Sequence, residues 1–137
     1  MALPPLRRVC AAGVTSCSAA IERVSPVVVV NAAAMTNVDQ AEREPDLARA
    51  VNELAPGAMA EASHDVGALM VHYSTDYVFD GAANSPYDEW ASPNPINTYG
   101  QSKLAGERRV GAAGPPHLII RTSWVYSPTG NGFVASL

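Results

Sequence analysis

Four consecutive valines, Val27–Val30, constrain the fold of this chain more than any other feature. An unbroken run of β-branched residues is typical of a strand that is buried on both faces, as in a parallel sheet. Two other apolar segments, Leu69–Tyr73 and His117–Thr122, are also predicted to be strands. Helical patterns separate these segments, and such an alternation indicates a parallel sheet with right-handed crossovers. We therefore expect an α/β fold.

The longest helical pattern lies between the first two strands. It begins at Pro45, a residue type favoured in the first turn of a helix, and ends near Asp65. Pro56 lies inside this pattern, and because proline has no N–H, the carbonyl of Asn52 loses its helical partner and a kink is expected. A second helix is predicted over Tyr99–Ala112.

The N-terminal part of the chain has a weaker pattern. One short helix is predicted over Ala19–Val24, with Ser18 as its cap, and residues 1–17 show no clear hydrophobic period. The two cysteines, Cys10 and Cys17, lie in this part of the chain. We interpret them as reduced thiols of a cytoplasmic protein rather than as a disulfide.

Composition excludes several classes of function. The 137 residues are 47% apolar and 16% charged, as in a globular domain. The net charge is −4 and no long basic run occurs, so we expect no nucleic-acid partner. No apolar run reaches the length of a membrane span, so we expect no membrane partner either.

Polar side chains follow the second strand and recur early in the second helix. Ser74–Asp76 come directly after Leu69–Tyr73, at the carboxyl end where open α/β sheets bind ligands. Tyr99 and Lys103 are four residues apart, so a helix places both on one face. A hydroxyl, a phenol and an ammonium are thus expected to meet in one crevice.

These groups suit the protonation of a carbonyl oxygen while hydride reaches its carbon. A tyrosine donates its proton well only if its pKa falls toward neutrality, and a nearby ammonium favours that change. Thr75 would hold the carbonyl oxygen. Lys103 is the only lysine among nine basic residues, and an arginine cannot replace a compact ammonium at such a site.

Two further segments are expected near this crevice. Asn31–Ala34 follow the first strand, and their small side chains would let a flat ligand approach the backbone, unless they simply pack under a neighbouring helix. Asp76–Thr98 is a long loop that contains Pro86, Pro93 and Pro95. Loops of this length usually line a site, so we expect it to form one wall of a pocket.

Four motifs occur in a consistent order: Asn31–Thr36, Ser74–Gly81, Tyr99–Glu107 and Arg121–Tyr126. Together they resemble those of the dTDP-4-dehydrorhamnose reductases, extended short-chain dehydrogenase/reductases that make dTDP-L-rhamnose. The resemblance covers roughly residues 19–137 and implies a partial Rossmann-like, doubly wound parallel sheet. It also implies a nucleotide-sugar substrate and NADPH or NADH as cofactor; the sequence leaves a metal requirement open.

The resemblance implies roles for individual residues. Tyr99 would donate the proton, Lys103 would lower its pKa and hold the nicotinamide ribose, and Thr75 would tune the tyrosine or bind the keto oxygen. The predicted binding residues are Ala33, Ala34 and Thr36 for the cofactor, and Asp76 and Trp124 for the sugar. Without the resemblance, Trp124 would be interpreted as a core aromatic.

The chain also departs from the family pattern. Family members begin with a Gly-x-x-Gly-x-x-Gly turn and continue into a smaller substrate domain, and neither is found here; Gly13 is a lone glycine. We therefore interpret residues 1–17 as an atypical segment and residues 18–137 as part of a nucleotide-binding domain. A strand such as Val27–Val30 would then expose apolar surface, and we predict weak or no activity for this chain alone. A homodimer is expected only for a complete protein.

Three alternatives remain open. The first is a non-catalytic NADP-binding protein that resembles the regulatory subunit of methionine adenosyltransferase. Arg121–Trp124 and Thr75 favour the reductase, because that regulatory relative tends to carry serine at the threonine position. The second is a nucleotide-sugar epimerase or dehydratase with the same Tyr/Lys pair, and the third is a fragment without function.

Overall fold

The computed structural model describes residues 14–114 and 116–125. Within them, three strands form one sheet in the order β1-β2-β3: Val28–Asn31, Leu69–Thr75 and His117–Thr122. Both pairings are parallel. The predicted α/β fold is therefore confirmed, and the carboxyl ends of all three strands lie at the same edge of the sheet.

Five α-helices and a π-helical segment connect and cover the strands in the described part of the chain. They are α1 Val14–Val24, α2 Val38–Arg43, α3 Pro45–Arg49, the π-helical segment Ala50–Leu54, α4 Ala55–Asp65 and α5 Thr98–Ala112. Helices α4 and α5 contact each other and β2, so they cover the same face of the sheet. None of the helices in the described ranges is long and apolar enough to cross a membrane.

The sheet has one covered and one open face in the described chain. On the covered face, Met70 and His72 of β2 are fully buried. On the other face, Val28, Val30 and Tyr73 are 44%, 54% and 41% exposed. The valine run does form a strand and exposes apolar surface as expected, but the described elements bury only one of its faces.

The helix has a widened turn just before Pro56, and the kink expected at this residue stays a prediction. The N–H of Ala55 bonds the carbonyl of Ala50, five residues back, which is the π-helical pattern. The carbonyl of Asn52 instead faces the bare Cα of Gly106 in α5, where a Cβ would collide with it. The π-helical segment and α5 can approach closely because Gly106 has no side chain.

The first helix is longer than predicted. It includes residues 14–18, so the expectation that Ser18 caps a helix starting at Ala19 is wrong. The Ser18 hydroxyl instead donates to the carbonyl of Ala58 at 3.3 Å, and Cys17 is buried. Most of the predicted 1–17 segment, including Cys10 and Gly13, lies outside the described residues, and the division at residue 17 stays a prediction.

Candidate active site

The carboxyl end of β2 leads into a tight 3₁₀ turn, Asp76–Val78, that fixes Thr75. The Thr75 hydroxyl donates to Asp76 Oδ1 at 3.1 Å and accepts the N–H of Tyr77 at 3.2 Å. Thr75 is buried, with 5% of its surface exposed. Both hydrogen bonds come from neighbours in sequence, so the hydroxyl is held by its own turn.

The start of α5 is held from three sides. The Asn97 side chain caps the helix by accepting the N–H of Gly100 at 2.7 Å. The Glu42 carboxylate accepts the N–H and the hydroxyl of Thr98, each at 2.7 Å. Gly100 meets the carbonyl of Tyr77, where a Cβ would collide with the oxygen. These contacts fix the helical turn that carries the predicted catalytic tyrosine.

Tyr99 lies beside Thr75 and is 8% exposed. Its ring packs edge-on against Tyr77, with centroids 5.5 Å apart. Burial raises the pKa of the Tyr99 phenol, a hydrogen bond with Thr75 opposes this rise, and the charge of Asp76 adds to it. The phenol therefore stays protonated at neutral pH and can act as a proton donor.

Lys103 is buried one turn further along α5, with 2% of its surface exposed. Its ammonium donates to the carbonyl of Tyr73 at 2.6 Å. Burial lowers the Lys103 pKa to about 8, although the charge of Glu107 opposes this shift. Lys103 is not among the groups that shift the Tyr99 pKa in this arrangement, where burial dominates at the phenol and the ammonium is bonded to Tyr73, so its expected effect on Tyr99 stays a prediction.

Two asparagines hold the alanine segment that follows β1. Asn31 Oδ1 accepts the N–H of Ala33 at 3.1 Å. Asn52 binds both backbone groups of Met35, at 2.9 and 3.0 Å, and donates to the Ser102 hydroxyl at 3.1 Å. The sequence analysis did not predict this role of the Asn52 side chain. The one nearby indication was that Pro56 leaves the backbone carbonyl of Asn52 without its helical partner. Asn52 thus joins the segment after β1 to α5.

All the predicted site residues line one cleft of about 1150 Å³ at the carboxyl edge of the sheet. They are Ala33, Ala34, Thr36, Thr75, Asp76, Tyr99, Lys103 and Trp124. The alternative that Ala33 and Ala34 only pack under a helix is therefore wrong. Trp124 is 63% exposed, with φ of 49°, so it is not a core aromatic. A bulky residue in the left-handed region is unusual and often accompanies function.

The loop after the 3₁₀ turn forms one wall of the cleft, as predicted. The rings of Phe79 and Tyr87 stack with centroids 4.2 Å apart, and the Arg121 guanidinium lies 5.1 Å from the Phe79 centroid. Arg121 also forms a bidentate ion pair with Glu107, at 3.0 and 2.7 Å. The Tyr87 hydroxyl donates to Asp80 at 2.6 Å, the largest cause of an Asp80 pKa near 2.

Metal ligands are not clustered in the described ranges: no group of three or more histidine, cysteine, aspartate or glutamate side chains is placed to hold an ion.

Comparison with known proteins agrees with this geometry. The family model for the RmlD substrate binding domain matches residues 8–137. The chain belongs to this family. The match begins before residue 19, where the resemblance was expected to start.

Individual relatives and solved structures that match the chain are dTDP-4-dehydrorhamnose reductases. The chain is 48% identical over 117 residues to the dTDP-4-dehydrorhamnose reductase of Salmonella typhimurium, covering 85% of this chain and 39% of that protein. The crystal structure of the Bacillus anthracis dTDP-4-dehydrorhamnose reductase in complex with NADP matches with a TM-score of 0.86 and 43% identity, covering 90% and 44% of the two chains. The Clostridium acetobutylicum reductase matches with the same values. The chain spans about 39–40% of the first curated relatives it matches.

Proposed function

We propose that this cleft binds NADPH or NADH and reduces the 4-keto group of dTDP-4-dehydro-6-deoxy-L-mannose, forming dTDP-L-rhamnose. The observation that carries the proposal is the convergence of Tyr99, Thr75 and Lys103 on one cleft at the carboxyl edge of a parallel sheet. The reductase identities of the relatives support the same substrate.

The residues present fit a nicotinamide cofactor. Ala33 and Ala34 offer only methyl groups to the cleft, so a flat ring can approach the backbone behind them. Ser74 also lines the cleft, and its hydroxyl is buried beside it without a hydrogen-bond partner among the described residues. Such a group favours a polar ligand atom, because an unpaired buried hydroxyl is destabilising. Lys103 would hold the ribose, and Thr36 would line the cofactor.

The chemistry follows from the state of each side chain. The bound cofactor supplies hydride for the carbonyl carbon. Tyr99 would give its proton to the carbonyl oxygen; the phenol is protonated at neutral pH, but burial raises its pKa and makes it a weaker acid than this step favours, so a nearby positive charge is needed. Thr75 holds that oxygen in line. Lys103 carries positive charge below about pH 8 and stabilises the phenolate that remains after proton transfer.

Asp76 and Trp124 would contact the sugar. The exposed indole of Trp124 presents a flat apolar face to the cleft, and the Asp76 carboxylate accepts hydrogen bonds from sugar hydroxyls. We also propose weak or no activity for the 137-residue chain alone, supported by the apolar surface that Val28 and Val30 expose. A cytoplasmic location and a homodimer of the complete protein stay predictions.

The test compares the chain with a hybrid in which residues 14–125 replace the matching segment of the Bacillus anthracis reductase. NADPH consumption is measured with the dTDP-4-keto sugar for the chain, the hybrid and the hybrid Tyr99→Phe variant. We expect turnover by the hybrid alone, and a loss of about 10²-fold or more in Tyr99→Phe with NADPH binding retained.

Each alternative gives a different result. A hybrid that binds NADPH without consuming it with the sugar would indicate the non-catalytic regulatory class. Conversion of the sugar without net consumption of NADPH would indicate an epimerase or dehydratase. Turnover by the 137-residue chain alone would contradict the proposed inactivity of that chain.

A further inference from the structure

His72 is a buried histidine to which the reaction gives no role. It lies in β2 with 0% of its surface exposed and pairs in register with Asn31, the last residue of β1. Asn31 Nδ2 lies 3.1 Å from His72 Nδ1, and Asn31 Oδ1 accepts the N–H of Ala33 at 3.1 Å. One asparagine side chain therefore connects the imidazole to the alanine segment of the cleft.

The geometry fixes the tautomer of the ring. A backbone N–H can only donate, so the oxygen of the Asn31 amide must face Ala33. The Asn31 NH₂ then faces the ring and can only donate, so His72 Nδ1 is an acceptor. The imidazole proton consequently resides on Nε2, a buried atom that has no hydrogen-bond partner among the described residues.

The surroundings keep this ring neutral. Burial lowers the His72 pKa to about 4; the charge of Lys103 lowers it further and that of Glu107 opposes the shift. Arg121 of β3 is occupied by its ion pair with Glu107. An imidazolium would carry a proton on Nδ1 and would lose the bond from Asn31, so the neutral state is the one that the contact requires.

We propose that His72 is a positioning residue for the nicotinamide cofactor: it orients Asn31, which in turn holds Ala33 and the adjoining wall of the cleft. This inference rests on the proposed function. Without the Nδ1 acceptor, the buried NH₂ of Asn31 would lose its partner, its side chain would rotate, and the N–H of Ala33 would be released. Tyr99 would keep its position, because separate contacts hold the start of α5.

The test uses three variants of the hybrid. His72→Leu removes the acceptor, His72→Asn keeps an acceptor oxygen close to the position of Nδ1, and His117→Gln is the control at an exposed histidine of β3. NADPH dissociation constants and kcat at saturating NADPH are measured for each. We expect about tenfold weaker NADPH binding in His72→Leu, recovery to within about threefold in His72→Asn, and little change in kcat for either.

Several outcomes would overturn the inference. They are unchanged NADPH binding in His72→Leu, no recovery in His72→Asn, or a fall in kcat as large as the loss of binding. If His72→Leu does not fold, nitrogen-15 NMR of the unmutated hybrid decides, since a proton on Nδ1 contradicts the inference and a proton on Nε2 supports it. Absence of NADPH binding by the unmutated hybrid would instead overturn the proposed function itself.

Discussion

The ammonium of Lys103 donates a 2.6 Å hydrogen bond to the carbonyl oxygen of Tyr73 while only 2% of the lysine is exposed. This bond ties α5 to the strand whose carboxyl end forms the cleft. Burying a cation costs free energy because water is removed from it, and the lowered pKa of Lys103 reflects that desolvation. The position of this single lysine leads directly to two predictions.

Activity should depend on the charge of Lys103 near neutral pH. Because its pKa is about 8, the ammonium is lost above that pH, well before an exposed lysine would be deprotonated. We expect kcat/KM of the hybrid to fall about tenfold per pH unit above pH 8. A pH–rate profile at fixed ionic strength measures this, and a level profile up to about pH 9.5 would contradict the prediction.

Lys103→Met should abolish turnover and yet stabilise the fold. Below pH 8 the folded state holds a charge that the unfolded chain holds more easily, because the folded pKa lies below the ordinary value of 10.5. Removing the charge should raise the free energy of unfolding by about 1–2 kcal/mol, after allowing for the lost bond to Tyr73.

Urea unfolding at pH 7 tests this, with Gln101→Met on the exposed side of α5 as the control. Linkage adds a second check, because the advantage of Lys103→Met over the parent should shrink as pH rises from 8 toward 10.5. A parent protein that is more stable than Lys103→Met at pH 7 would show that the Tyr73 bond outweighs desolvation.

Two glycines of α5 should respond oppositely to alanine. Gly100→Ala places a Cβ against the carbonyl of Tyr77 and 3.0 Å from Pro95 Cβ, so we expect destabilisation of about 2–3 kcal/mol and loss of activity. Gly111→Ala meets nothing within 4 Å and should stabilise the helix by about 0.5 kcal/mol. Melting temperatures of both variants measure the contrast; equal effects would mean that Gly100 is not a contact point.

His72 should make stability sensitive to mild acid. The unfolded chain takes up a proton near pH 6.5, whereas the folded chain does so only near pH 4, where Lys103 and Glu107 face the ring. The free energy of unfolding should therefore fall as pH decreases from 6.5 to 4, by about 3 kcal/mol in total. Urea unfolding at several pH values, compared with His72→Asn, isolates this effect, and identical pH slopes in the two proteins would exclude it.

The strands and the location of the cleft could be predicted because they depend on local sequence. β-branched runs give strands, a helical pattern between strands gives parallel pairing, and parallel pairing brings the carboxyl ends of the strands together. Thr75 ends β2, and Asp76 and Trp124 follow strands, so the topology alone places them at one edge.

Long-range contacts could not be predicted in this way. Asn52 binds Met35 and Ser102, which lie 17 and 50 residues away, and no sequence period records such a bond. Glu42 reaches Thr98 over 56 residues. The direction of the Tyr99 pKa shift also depends on the balance of burial against nearby charges, which only the packed structure determines.

The π-helical segment Ala50–Leu54 also sets the rotational phase between α3 and α4. A π turn holds about one residue more than an α turn, and each residue turns a helix by about 100°. Deleting one residue here would restore a regular helix and rotate Asn52 away from Met35 and Ser102. The bulge thus works as an angular offset: the part of the helix before it packs against α5, and the part after it also contacts the sheet.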